Sequence, residues 1–243
     1  MTQRLTFSLT RDATLIRQAQ ALRADVFAAE FGSVVQDGLE RDAFDAACDH
    51  LVLRDVDRPD LGVVATMRLA AGGAYTAREF DLSALAASGR PMAELGRTCL
   101  HRDYRRGPAV FHLFKGMLDV LREKSIDLVV GTASFPGADA ARHMPALRRL
   151  RQVALAPAEL RPVAMGPHAV PIHGPAEAAA MREVPSLIKS YLRAGAWIGD
   201  GAYLDRAFNS VDVCMVLDLT RLKLPDLKGL TFDGQAAIAG SNV

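Results

Sequence analysis

The sequence predicts a mixed α/β fold in which strands and helices alternate along one domain. Three observations carry this. Half of the 243 residues are apolar, enough to bury a substantial core. Val110, Leu113, Phe114, Met117, Leu118 and Leu121 recur at helical spacing. That stripe lies between the strand that carries Glu94 and the buried-type run 128–132.

Residues 5–9 alternate like an edge strand, and Asp12 can cap a helix with apolar positions at Leu15, Ile16, Ala19, Leu22, Val26 and Phe27. This helix puts Arg23 and Phe27 on one face, four residues apart. Residues 32–45 are polar and irregular, a candidate lid. Residues 50–54 and 63–69 read as two strands joined by a turn over 57–62, with Arg68 near the end of the second. An acidic turn (Glu79, Phe80, Asp81) precedes the strand that carries Glu94. Beyond Ala138 the chain is expected to turn to helix and loop, with a second helical unit over 184–196 and a final strand over 211–219. Residues 1–224 are expected to form a single domain and 225–243 a loosely held tail.

Residues 25–60 hold ten acids and three bases, whereas 97–151 hold eleven bases and five acids, so one end of the fold should be acidic and the other basic. Cys48, Cys99 and Cys214 lie far apart without metal-binding spacing, and the six histidines show no ligand pattern. No metal and no nucleic acid is expected. No basic-then-apolar leader and no run of about 18 apolar residues is present. These features predict a cytoplasmic protein, peripheral to a membrane at most. The segment 144–155 sets Leu147, Leu150 and Val153 against Arg148, Arg149 and Arg151. It reads either as a face for an anionic bilayer or as an ordinary surface helix.

The chemistry concentrates in 92–114. Charges on a buried-type strand are costly unless paired or used, which marks Glu94 and Arg97 as a pair, a site, or both. Residues three apart on a regular strand face opposite ways, so sharing a face requires a bulge, which Gly96 makes inexpensive. Arg102, Arg105, Arg106 and Gly107 lead into a helix start, the geometry of an anion site. Arg23 and Arg68 either hold a carboxylate of a substrate or tie down Asp45 and Asp49. Phe27, Phe31, Phe44 and Phe80 line an acyl pocket or belong to the core, and Ser134-Phe135-Pro136-Gly137 leaves a strand where backbone amides become free.

The ordered set Leu22-Arg23…Phe27, Phe44-Asp45…Cys48-Asp49-His50-Leu51, Thr66-Met67-Arg68-Leu69, Glu94-Leu95-Gly96-Arg97 and Ala133-Ser134-Phe135-Pro136-Gly137 resembles the ornithine N-acyltransferases of ornithine-lipid synthesis. Downstream, Pro185 to Ala196 and Phe208 to Val213 resemble the same family, so the likeness spans roughly 15–220. The wider group contains the acyl-homoserine-lactone synthases, which share the order Arg23, Phe27, Asp45, Arg68, Glu94, Arg97. Phe31 in place of a lid tryptophan and the added C-terminal helical unit favour the lipid enzyme. The resemblance implies a GNAT-like mixed central sheet flanked by helices and transfer of a 3-hydroxyacyl group from acyl carrier protein to the α-amine of L-ornithine.

It also implies no tightly bound cofactor, the phosphopantetheine of the carrier protein being the donor arm. Glu94 is the candidate base and Arg97 its catalytic neighbour; Arg23, Phe27, Asp45, Asp49, Arg68, Ser134 and Phe135 are candidates for the substrate site; Arg102, Arg105, Arg106 and Gly107 for the donor. The GNAT phosphate loop survives only in degraded form at 104–109, which argues against acetyl-coenzyme A as donor. Two rivals remain: a lactone synthase and a non-catalytic module that binds carrier protein or membrane.

Overall fold

A computed structural model describes residues 4–32, 35, 37–105 and 108–222. In chain order the elements are β1 (Leu5–Thr10), α1 (Ala13–Phe31), β2 (Asp49–Asp55), β3 (Val63–Ala71), β4 (Phe80–Asp81), α2 (Ser83–Ala87), β5 (Met92–Leu100) and α3 (Pro108–Glu123). They continue with β6 (Leu128–Pro136), α4 (Ala140–Ala154), β7 (Val163–Ala164), β8 (Ala169–Val170), α5 (Ser186–Arg193), β9 (Trp197–Ile198), β10 (Ala202–Asp205) and β11 (Ser210–Asp218). Chain contacts divide the described residues into two compact units, one of 4–70 and 95–125, the other of 71–94 and 126–222.

In the first unit β1 is the edge strand, antiparallel to β2 with Leu5 opposite Asp55 and Thr10 opposite His50. β2 pairs antiparallel with β3, and the register shifts between Leu53 and Arg54. Asp12 caps α1, its carboxylate accepting from the Leu15 amide, and Gly32 closes the helix in the left-handed conformation. α3 turns its apolar stripe inward, burying Leu113, Met117 and Leu121. Gly116 sits where any side chain would strike the ring of Phe7, so glycine there sets how closely α3 approaches β1.

In the second unit, Met92–Glu94 of β5 run parallel to Leu128–Val130 of β6. β6 pairs antiparallel with β11 over nine residues, from Leu128 opposite Asp218 to Pro136 opposite Ser210. All nine residues of β11 are buried, as expected of a strand covered on both faces. β10 and β8 extend this sheet, β9 pairs with β11, and β4 pairs with β7. The region expected as helix and loop beyond Ala138 thus contributes short strands as well; runs of two to four residues are too brief to show alternation. Phe80, Leu82, Leu85, Leu128, Val130, Leu160, Cys214 and Val216 form a core cluster. Each large apolar side chain buried there is worth about 1.5–3 kcal/mol. The expected tail, 225–243, lies outside the described residues.

Candidate active site

Six charged side chains of the first unit close into an alternating ring. Arg23, fully buried on α1, forks onto Asp45 through Nη1 (3.0 Å) and Nη2 (2.6 Å). Its Nε lies 2.6 Å from Oε2 of Glu40. The other oxygen of Glu40 accepts from Arg97 Nε at 3.0 Å, and Arg97 Nη2 donates to Asp42 at 2.9 Å. Arg68 Nη1, from β3, completes the ring by donating to Asp42 (2.6 Å) and Asp45 (2.8 Å).

Three guanidinium groups thus face three carboxylates, and the ring is neutral. A closed set of this kind removes the main cost of burying charge, because each ion keeps partners on both sides. Burial on its own would raise the pKa of Asp45. Hydrogen bonds and charge from Arg23, with further bonds from Arg68 and Gln20, outweigh it and leave the pKa well below the usual carboxylate value. Asp42 shows the same balance, burial opposed first by Arg68 and then by Arg97. His50, fully buried behind Asp45, donates Nε2–H to the Asp45 carbonyl at 3.0 Å, and burial lowers its pKa. Phe44 lies under Arg68, whose guanidinium carbon is 5.7 Å from the ring centroid.

The ring pins the C-terminal end of the segment expected as a lid, through three of that segment's four acids, Glu40, Asp42 and Asp45. Arg23, Asp45, Arg68 and Arg97 are therefore brought together. Asp49 is not with them, because its carboxylate is taken by Arg11 (2.6 Å) and Lys124 (3.2 Å). Glu40 and Asp42 escaped the sequence reading because their segment has no periodicity. Their signal is an acid supply at 40, 42 and 45 that matches arginines on three other elements.

Arg97 adopts φ +52°, so the irregularity of β5 sits on the arginine and not on Gly96. A non-glycine residue in the left-handed region costs about 1–3 kcal/mol, and the bonds to Glu40 and Asp42 hold it there. Phe27 is buried on α1 and meets Phe31 edge-to-face at 6.1 Å. Arg102 is exposed, with Asp103 as its neighbour at 3.8 Å. Arg105 pairs with Glu30 and donates to the Leu100 carbonyl. Arg106 and Gly107 lie outside the described residues. Tyr104 is buried in this turn and donates its hydroxyl to Asp55 at 2.7 Å; burial, then that bond, pushes its pKa up to about 12.

The second unit holds Glu94. Its Oε2 accepts from the backbone amides of Tyr75 (2.9 Å) and Thr76 (3.2 Å), which fixes the carboxylate although it is nearly buried. Phe135 is buried near the end of β6, 5.2 Å from the ring of His143, and Ser134 lies opposite Asp212. His143 Nε2–H donates to the carbonyls of Pro136 and Gly137, tying the exit of β6 to the first turn of α4. Phe80 belongs to the core cluster. Glu79, Asp205 and Asp212 bring carboxylate oxygens within 4.8 Å of one another. Two of these acids are engaged within the fold, Asp212 by Ser210 Oγ and Asp205 by the Phe208 amide.

Of the two readings of the segment 144–155, the leucines fit the ordinary surface helix, although Val153 is exposed. Leu147 and Leu150 are fully buried, Arg151 forks onto Asp200 and Arg148 donates to the His173 carbonyl, so α4 spends its leucines and two of its arginines on the fold. No helix among the described residues is long and apolar enough to cross a membrane.

Residues 22–115 match the acetyltransferase (GNAT) domain family. Among solved structures the chain resembles FeeM, an N-acyl amino acid synthase from uncultured soil microbes. The TM-score is 0.56 at 12% identity, over 90% of this chain and 93% of that one, a likeness that shows the GNAT-like fold alone. The L-ornithine N(α)-acyltransferase of Agrobacterium fabrum is 35% identical over 237 residues, 88% of this chain and 80% of that protein. The L-ornithine N(α)-acyltransferase of Rhodobacter capsulatus is 40% identical over 228 residues, 86% of this chain and 88% of that protein. At this identity over most of both lengths, the chain belongs to the L-ornithine N(α)-acyltransferase family.

Proposed function

We propose that this enzyme moves a 3-hydroxyacyl group from the phosphopantetheine thioester of acyl carrier protein to the α-amine of L-ornithine, giving the lyso-ornithine lipid. The observation that carries this is the 40% identity to an L-ornithine N(α)-acyltransferase across 86% of the chain. In the step, the amine nitrogen attacks the thioester carbonyl, the C–N bond forms and the C–S bond breaks. The amine proton leaves to a base, and the carrier thiolate takes up a proton.

Glu94 is assigned as that base, directly or through a water. Its carboxylate is oriented by two backbone amides, the kind of support a general base needs. Arg97, with Arg23 and Arg68, is assigned to the framework: its bonds to Glu40 and Asp42 hold the 40–45 segment. Arg23 and Arg68 already hold Asp42 and Asp45, which supports a positioning role in place of a direct grip on the substrate carboxylate. Phe27, Ser134 and Phe135 are kept as substrate-site candidates. Arg102, exposed on the turn after β5, is assigned to the acidic surface of the carrier protein, with Arg105, Arg106 and Gly107 beside it in sequence.

A cytoplasmic setting follows from the donor. Any membrane association has to come from elsewhere than the leucines of α4. Release of carrier thiol, followed with a thiol reagent, tests the reaction. It should require both 3-hydroxyacyl carrier protein and ornithine; release that is indifferent to ornithine would mean hydrolysis or another acceptor.

A further inference from the structure

A second set of residues, none of them in the candidate active site, lines a cavity of about 850 Å³ in the second unit. Ala84, Ala87, Leu155, Leu160 and Trp197 supply its apolar wall. Four charged residues also line it, and two of them are spent on each other. Arg90 forks onto Asp218 at 2.7 and 2.8 Å, and this bond, against burial, holds the Asp218 carboxyl down to about 2.

The other two are Arg221 and Glu159. The Arg221 guanidinium lies over Trp197, its carbon 4.3 Å from the ring centroid. A guanidinium carries five N–H donors, so those directed away from the ring stay available for a carboxylate. Among the described residues neither Arg221 nor Glu159 has an ion-pair partner, and they do not pair with each other. An apolar pocket of a size suited to small molecules, with one cation and one anion left over, matches a ligand with a chain and a zwitterionic head.

We propose that this cavity binds an N-acylated basic amino acid: its carboxylate on Arg221, its side-chain ammonium on Glu159 and its acyl chain along Ala84, Ala87, Leu155 and Leu160. The identity of that ligand rests on the proposed function, because N-acylornithine is the product of that reaction and carries these three features. A fatty acid lacks the ammonium, and free ornithine lacks the chain.

Trp197 is the only tryptophan, so its fluorescence reports on this cavity. The full chain is titrated with synthetic N-dodecanoyl-L-ornithine below its micellar concentration, and in parallel with dodecanoate, free ornithine and dodecyltrimethylammonium. The expected result is a saturable change with N-dodecanoylornithine at lower concentration than with dodecanoate, and none with the other two. Arg221→Gln should raise the apparent Kd about tenfold, the scale of one lost charged hydrogen bond. Glu159→Gln should bring N-dodecanoylornithine level with dodecanoate. Both residues are exposed, so circular dichroism of the variants should match that of the unmodified chain. No saturable change, a Kd unaltered by Arg221→Gln, equal binding of dodecanoate, or equal binding of the cationic amphiphile overturns the proposal. The titration uses no donor and no turnover, so an enzyme that acylates ornithine yet fails the titration loses only this site. One that passes it without acylating ornithine loses the proposed reaction instead.

Discussion

Replacing Asp45 by Asn tests the charge ring where it is most deeply buried. Asp45 accepts from Arg23 Nη1 and Nη2, Arg68 Nη1 and Gln20 Nε2, and Arg23 has no exposed surface. Asparagine keeps one acceptor oxygen, turns an NH₂ toward a donor, and takes the ring from neutral to one positive charge. Removing one partner from a buried ion pair costs about 3–5 kcal/mol, a large share of the roughly 5–15 kcal/mol that holds a domain together. At about 2–4 °C per kcal/mol for a chain of this size, Tm should fall by about 6–20 °C. Thermal unfolding by circular dichroism measures it. The folded-state pKa of Asp45 is depressed, so its contribution is complete above the unfolded value of about 3.9 and is lost as pH falls through the folded value. The gap between the two proteins should therefore be constant from about pH 5 to 8 and narrow below about pH 4. A variant that melts within about 2 °C of the unmodified chain at pH 7 would show that the ring does not hold the 40–45 segment.

Glu94→Gln should lower kcat by about 10²- to 10⁴-fold while carrier-protein binding stays near normal, since a lost base acts on the chemical step; normal turnover would remove Glu94 as the base. Arg102→Glu should raise KM for acyl carrier protein and flatten its salt dependence, with little effect on a small acyl-pantetheine thioester. Equal losses with both donors would place Arg102 in the fold or at the phosphopantetheine. Gly116→Ala should cost about 1–3 kcal/mol, because the added methyl meets the Phe7 ring and one of two packed elements must move; urea unfolding reads it directly.

The long elements were legible because their signals are local. Asp12 as a cap, the stripe on α3 and the paired strands β2 and β3 each follow from residues within one or two turns of chain. β7 to β10 were not, since no alternation fits in two to four residues. The ring was half legible. Family resemblance placed Arg23, Asp45, Arg68 and Arg97 in order, but their partners are set by tertiary structure. Glu40 and Asp42 come from a segment without period, while Asp49, two residues before the buried Leu51, turns to Arg11 and Lys124. The amphipathic pattern of α4 was real, and its apolar side faces the protein interior where a bilayer had been the rival partner.

Mass spectrometry of the product formed from 3-hydroxyacyl carrier protein and an equimolar mixture of amino acids tests the central claim most directly. The expected product is ornithine acylated on its α-nitrogen, with the side-chain amine free and the carboxylate open. A lactone, acylation of another amino acid in preference, or free 3-hydroxy acid alone would contradict the account.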